Sequence, residues 1–166
     1  MSRLIFTVEG DPAPQGSKRY VGNGRMVEMS KKVKPWRAAV VTAAQAALIA
    51  TDEWDAQTHG HCAVGLQVTF RFARPLSHYG TGRNAQTLKP DAPTYVTSRS
   101  KGDADKILRA TDDALTTSGV IADDSLIVAV HAFKVYAEVP GADIEVYTVR
   151  NVRGASLPPV YRGAAS

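Results

Sequence analysis

The segment Lys101-Gly-Asp-Ala-Asp-Lys-Ile-Leu-Arg-Ala-Thr-Asp-Asp-Ala-Leu115, with Val-Ile-Ala-Asp-Asp124 close behind, constrains this chain more than any other. Six of its sixteen acidic residues fall between Asp103 and Asp124. Lys106 and Arg109 return two positive charges and leave the stretch at −4, in a chain whose net charge is +4. Carboxylates gathered by a fold repel one another and lose water, so the fold needs positive charge among them. A bound divalent cation would supply what two side chains do not.

The remaining charge is segregated by sign. Lys18, Arg19, Arg25, Lys31, Lys32, Lys34 and Arg37 face a single Glu28 in one stretch, and Arg71, Arg74, Arg83, Lys89, Arg99 and Lys101 face a single Asp91 in another. A field patterned in this way steers an anion toward a cation site, and a pI near 9.3 leans the same way, toward nucleic acid. Each lysine or arginine taken singly also reads as a solvated loop residue. The 166 residues are enough for one domain with a real core. A single cysteine, Cys62, rules out an internal disulfide framework. No apolar run is long enough to span a membrane and no secretory pattern opens the chain, so a soluble, intracellular protein is expected.

Leu4–Val8 reads as an opening strand, and Pro12 and Pro14 force the chain out of the sheet after it. Asn23-Gly24 between short β-type runs signals a hairpin over residues 19–29. Pro35 opens an alanine-rich helix to Ala50. Val64, Leu66, Val68, Phe70 and Phe72 alternate with other residues in a half-buried strand that Pro75 ends. The stretch from Pro75 to Lys101 has no sustained period and reads as a long basic loop able to embrace a substrate. Asp103 or Asp105 starts a second helix, and Gly119 stops it. Ser125–Ala137 is a strand, Pro140-Gly141 turns the chain, and residues 144–149 return. The fold class is therefore α+β, a mixed sheet with two main helices, in a single domain over residues 1–150 with a flexible tail over 151–166.

Hydrolysis of a phosphodiester needs hydroxide near neutral pH and a cation on the phosphoryl oxygens. Mg²⁺ provides both when two or three carboxylates hold it and leave positions open. Asp103 and Asp105, two apart at a helix start, and the pair Asp123-Asp124 after the helix are the candidates. Ordinary roles stand beside this one. Asp103 or Asp105 caps the helix, and Arg109, four residues from both Asp105 and Asp113, suits surface ion pairs. His59-Gly-His61-Cys62 lacks a second ligand pair and reads as a turn rather than a zinc site. His131 and Lys134 lie on opposite faces of one strand, and Lys134 either reaches the acidic site or is solvated. Trp36 and Trp54 read as core or as stacking platforms, and the alanine face of residues 38–50 as internal packing or a subunit contact.

Asp103-Ala-Asp105-Lys106-Ile-Leu-Arg109, then Asp113-Ala-Leu115, then Gly119-Val-Ile-Ala-Asp123-Asp124, resembles the RusA family of Holliday junction resolvases. Phe6-Thr-Val-Glu-Gly-Asp-Pro-Ala-Pro-Gln-Gly-Ser-Lys18-Arg19 is similar to the Gly-x-Pro-x-Pro-basic opening of that family. The resemblance runs from Leu4 to Val149. It implies a Mg²⁺-dependent (or Mn²⁺-dependent) endonuclease that binds four-way junctions as a homodimer and nicks opposed strands symmetrically. It implies metal ligation by Asp103, Asp105 and Asp124 with Asp123 beside them, and DNA contacts from Lys18, Arg19, Arg25, Lys31, Lys32 and Lys34. It also implies a cytoplasmic setting in a bacterial host, with phage or prophage origin. Forks and flaps as substrates, or a non-catalytic DNA-binding relative, are the alternatives.

Two positions depart from the family pattern. Lys106 stands where an Asn is usual, and Arg109 where the catalytic Lys is usual. Arginine does not release its proton near neutral pH, so Arg109 only stabilises phosphoryl charge. Lys106, three residues earlier and on the same face, is placed to take over the lysine's role. Lys106→Ala is therefore expected to slow junction cleavage more than Arg109→Lys, in single-turnover assays of both variants. The reverse order would return the catalytic position to Arg109.

Overall fold

In the computed structural model residues 2–16, 18–20, 26–28, 31–55, 59 and 61–150 are described, 18–20 and 26–28 by their backbone alone. The tail over 151–166, Arg25 and the Asn23-Gly24 turn lie outside the described residues. The elements run β1 (Arg3–Glu9), β2 (Lys18–Tyr20), β3 (Met26–Glu28), α1 (Val33–Ala50), β4 (Val64–Ala73), α2 (Ala104–Ser118), β5 (Ile127–Ala137) and β6 (Gly141–Thr148). This is the α+β class, a mixed sheet with two helices.

Alternation builds the sheet. Leu4, Phe6 and Val8 of β1, with Val64, Leu66, Val68, Phe70 and Phe72 of β4, are buried while the residues between them look the other way. Period two permits only this when one face is covered. The order is β1-β6-β4-β5, with β6 antiparallel to β1 and β4, and β5 parallel to β4. β2 and β3 form a separate two-stranded antiparallel ladder, the expected hairpin. α1 packs on β1 and α2, and α2 also touches β5.

The chain turns at Pro140 and returns as its sequence reading expects, with β6 antiparallel to its neighbours. The return is not a tight hairpin, because β4 lies between β5 and β6. Glu138–Pro140 span roughly 10 Å when extended, about two strand spacings, so the link reaches over the end of β4. Arg74 N–H donates to Ala137 O (3.1 Å) and Gly10 N–H to Pro140 O (3.3 Å), which pins both ends of the crossing.

The long loop after Pro75 is built into the fold. It contains three short 3₁₀ turns, Leu76–His78, Gly82–Asn84 and Arg99–Lys101. Its residues 94–96 run along the outer edge of β5, where Val96 N–H donates to Lys134 O and Tyr136 N–H to Thr94 O, each at 2.9 Å. Arg74 stacks over Tyr136, 5.5 Å from the ring centre, and donates to Pro93 O. The β5 edge explains this order: strand groups left unpaired by β4 take the loop as a partner.

α1 starts at Val33, ahead of Pro35, whose missing N–H falls among the first-turn donors that have no helical partner anyway. Gly119 ends α2 in the left-handed region at φ 83°, as its position predicts. The helices meet through small residues, Ala44 on α1 and Ala110 and Ala114 on α2, all fully buried. Trp36, buried between them, donates from Nε1 to Thr111 Oγ1 at 3.2 Å and sits edge-on to Phe70. It is core rather than a stacking platform for bases. Trp36→Ala is expected to destabilise the fold by about 3–5 kcal/mol, from the cavity and the lost partner of Thr111. Urea denaturation of the two proteins measures it.

Candidate active site on helix α2

α2 exists because one of its faces is apolar. Ile107, Ala110, Thr111, Ala114, Leu115 and Ser118 are buried, at the spacing a helix needs to cover a sheet. The other sides carry the charges, with Asp105, Lys106 and Arg109 exposed and Asp112 half-buried. Asp105 and Asp112, seven residues apart, share one line along the helix, about 10 Å from each other along the axis. Arg109 lies between them, exposed, with no ion pair among the described residues.

Asp103 is the residue before the helix, in extended backbone, and its carboxylate makes no cap hydrogen bond. Lys106 takes it instead, with Nζ 2.7 Å from Asp103 Oδ2. That hydrogen bond, and then the charge behind it, holds the Asp103 carboxyl below the usual range and raises the Lys106 ammonium above its own. Both groups are exposed, so the pair contributes little to stability and is readily exchanged for another partner. Lys134, the ambiguous strand lysine, reaches this place. Its Nζ donates to Gly102 O at 2.6 Å, and its charge further lowers the Asp103 carboxyl. Pairing with Phe70 puts Lys134 on the helix-covered face of the sheet, opposite His131 and Phe133.

The Asp123-Asp124 pair divides its labour. Asp123 Oδ1 accepts from Ser125 N–H at 2.8 Å and opens a 3₁₀ turn, Asp124–Leu126. Hydrogen bonding from Ser125, first its side chain and then its backbone N–H, keeps the Asp123 carboxyl low. Asp124 is exposed and comes back against the middle of α2. The return from Gly119 to Asp123 is five residues, at most about 17 Å, against roughly 9 Å of helix between Asp112 and Ser118. Asp124 therefore comes to the level of Asp112 before that of Asp103, and its charge acts on the Asp112 carboxyl.

Asp112 is the residue that sequence reasoning passed over. It was read with Asp113 as helix-surface charge. Asp113 is instead the cross-helix partner of Arg37 on α1, at 3.3 Å, which leaves Arg109 free of it. Asp112 points inward, and its Oδ1 is out of contact with solvent and has no hydrogen-bond partner among the described residues. Burial first, then the charges of Asp124 and Asp113, push its carboxyl up to about 7. A strongly shifted carboxyl beside other carboxylates is a mark of functional sites. Its one sequence signal was position: Asp112 lies two turns below Asp105 on the same line.

Hard carboxylate oxygens at Asp103, Asp105, Asp112 and Asp124 are the donor type that Mg²⁺ and Mn²⁺ prefer. The unsatisfied oxygen of Asp112 is a buried acceptor that lacks the partner a cation or a donor would supply. In chemistry the residues fit a divalent cation. In position they are strung along α2 rather than converged: among the described residues no three His, Cys, Asp or Glu side chains are gathered closely enough to hold one ion. Lys31, Lys32 and Lys34 are exposed at the start of α1, and Lys18 and Arg19 sit on β2. At His59, Asp55 N–H donates to Nδ1, so Nε2 carries the proton and donates to Ser2 Oγ (3.1 Å each). That imidazole serves a turn.

An α+β domain with acidic side chains along one exposed helix line, and lysines beside them, has the makings of an enzyme that works on phosphodiesters. The endodeoxyribonuclease RusA family matches residues 9–147, most of the chain, and the protein belongs to that family. Membership implies nuclease activity of the kind that resolves Holliday junctions. No curated protein matches the sequence. No helix among the described residues is long and apolar enough to cross a membrane.

The Asp112 carboxyl yields a test. In the unfolded chain it releases its proton near pH 4, whereas in the fold it keeps it to about pH 7. The folded state thus loses stability as pH rises between those values, by roughly 4 kcal/mol once the loss is complete. Asp103 and Asp123, held low, act in the opposite sense and only below about pH 4. Asp112→Asn is expected to melt higher than the parent at pH 8 and close to it at pH 4. Parallel melting curves without metal that leave the pH dependence unchanged would reject this picture of Asp112.

Proposed function

We propose that the protein is a Mg²⁺-dependent endonuclease, with Mn²⁺ able to substitute, that acts as a homodimer on four-way DNA junctions and nicks opposed strands in symmetric pairs. The observation that carries this reading is the buried, unpartnered oxygen of Asp112 on the line of Asp105, with the charge of Asp124 acting on it, in a chain of the RusA family. Carboxylates aligned along one helix of a basic protein suit a cation set between them and an anionic strand.

Asp103, Asp105, Asp112 and Asp124 are the residues that would hold the metal, with Asp123 fixing the turn that presents Asp124. Bound there, Mg²⁺ supplies an acidified water and a positive clamp on the scissile phosphate. Lys106 would be released from Asp103 toward the phosphate were a cation to occupy that carboxylate, and Arg109 would stabilise developing negative charge one turn further along. Lys134 holds Gly102 and so fixes the turn that carries Asp103. Lys18, Arg19, Arg25, Lys31, Lys32 and Lys34 follow DNA backbones and make binding salt-dependent. Two symmetric incisions call for two copies of the site. A bacterial cytoplasm and a phage or prophage source fit such a substrate.

The Asp103–Lys106 pair supports a second reading, a DNA-binding relative in which lysine replaces the metal. The two separate cleanly. Under the nuclease reading, millimolar Mg²⁺ or Mn²⁺ raises the melting temperature of the parent protein, and Asp105→Asn cuts a synthetic four-way junction more than about a hundredfold more slowly while binding it equally or more tightly. Absence of any metal-induced stabilisation, with no nicking by the parent, would move the assignment to the second reading. Nicks confined to forks or flaps would replace the junction as substrate.

A further inference from the structure

The proline-containing segment between β1 and β2 has no role in the chemistry above, yet it is fastened to α2 at several points. Pro12 and Pro14 lack N–H groups and cannot join a ladder, so the chain lies across the helix as an extended strap. Pro12 and Ala13 are buried. Pro14 packs so closely on Gly102 that a Cβ there would lie 2.6 Å from its ring, and Gly102 also has φ 79°, so the contact requires glycine twice over. Gln15 then makes two bonds to α2. Its N–H donates to Lys106 O at 3.0 Å, and its Nε2 donates to Asp113 Oδ2 at 3.4 Å.

Lys106 and Asp113 are two turns apart, so Gln15 lies lengthwise along the helix. Arg37 holds the same Oδ2 of Asp113 at 3.3 Å, which fixes the acceptor from α1. Gln15 Oε1 is buried without a hydrogen-bond partner among the described residues, a cost borne for the sake of the Nε2 bond. Three residues later β2 begins at Lys18, within about 10 Å of the anchor.

We propose that Gln15 is a positioning residue: through Asp113 it clamps the strap to the catalytic helix, and so sets where the basic β2–β3 hairpin meets the nucleic-acid strand lying over Asp103 and Asp105. The proposal rests on the DNA reading for its consequence and on geometry alone for the clamp. Gln15 touches no reacting atom. Its loss loosens the grip on substrate and leaves the chemical step alone.

Two readouts test it, one of them independent of DNA. In limited trypsin digestion of the native protein, Gln15→Ala and the similarly sized Gln15→Met are expected to be cut at Lys18, Arg19 or Arg25 about tenfold faster than the parent, the worth of one half-buried hydrogen bond, with melting temperatures close to it. Unchanged cutting in both variants would overturn the clamp, whatever the protein does to DNA. On four-way junctions KM is expected to rise about tenfold with kcat nearly unchanged. A fall in kcat at constant KM would overturn the positioning role. Gln15→Glu sets two carboxylates against each other and is expected to be worse. Adding Asp113→Asn exchanges donor and acceptor, and KM should recover. A double variant no better than Gln15→Glu alone would sink the Asp113 link. Should the parent prove inactive on every branched DNA, the nuclease reading falls and the trypsin result decides the clamp by itself.

Discussion

The site depends on the burial of one face of α2. Ile107, Ala110, Ala114 and Leu115 are fully covered, and the rotation this fixes decides which aspartates face water and which do not. Asp105 and Arg109 are exposed, while Asp112 sits at the border and loses contact with solvent at one oxygen. Small side chains at the helix crossing and the Trp36–Thr111 bond prevent the helix from rolling to relieve Asp112. Stability from the apolar face is thus used to hold a carboxyl in a setting it would leave on its own, an arrangement typical of functional sites.

Much of the fold was legible because it follows from local rules. The alternation in residues 64–72, the prolines at 12 and 14, Asn23-Gly24 and Gly119 each have a single good structural use, and the elements they foretold are present, the Asn23-Gly24 turn itself lying outside the described residues. The identity of neighbouring strands was not legible. Nothing local at Pro140 distinguishes a turn back beside β5 from a step across β4, because the choice rests on Arg74 and Gly10 bonding the two ends of the link. The loop after Pro75 was unreadable for a related reason: its order comes from the free edge of β5, sixty residues from where the loop begins, and not from any period of its own.

The site was legible in its residue types more than in its arrangement. Asp103, Asp105, Lys106 and Asp124 declared themselves by sequence pattern, yet their roles separate in space. Asp103 is engaged by Lys106, Asp123 shapes a turn, and Asp124 faces Asp112. Helix pitch and the length of the return from Gly119 set that last encounter, and both could be estimated beforehand, but only the docked helix shows which carboxylate loses its water. Asp113 was read as a surface partner for Arg109, and it took the position of α1 to show that Arg37 claims it.

The strand order has a consequence for how the chain is made. β1, at the start, has β6 as its sheet neighbour, and β6 also fills the place beside β4. A nascent polypeptide leaving the ribosome therefore keeps the hydrogen-bonding edge of β1 unpaired until residues 141–148 emerge. Closure of the sheet therefore waits for β6, about 130 residues after β1, and the pairing between them spans nearly the longest contact distance the fold contains.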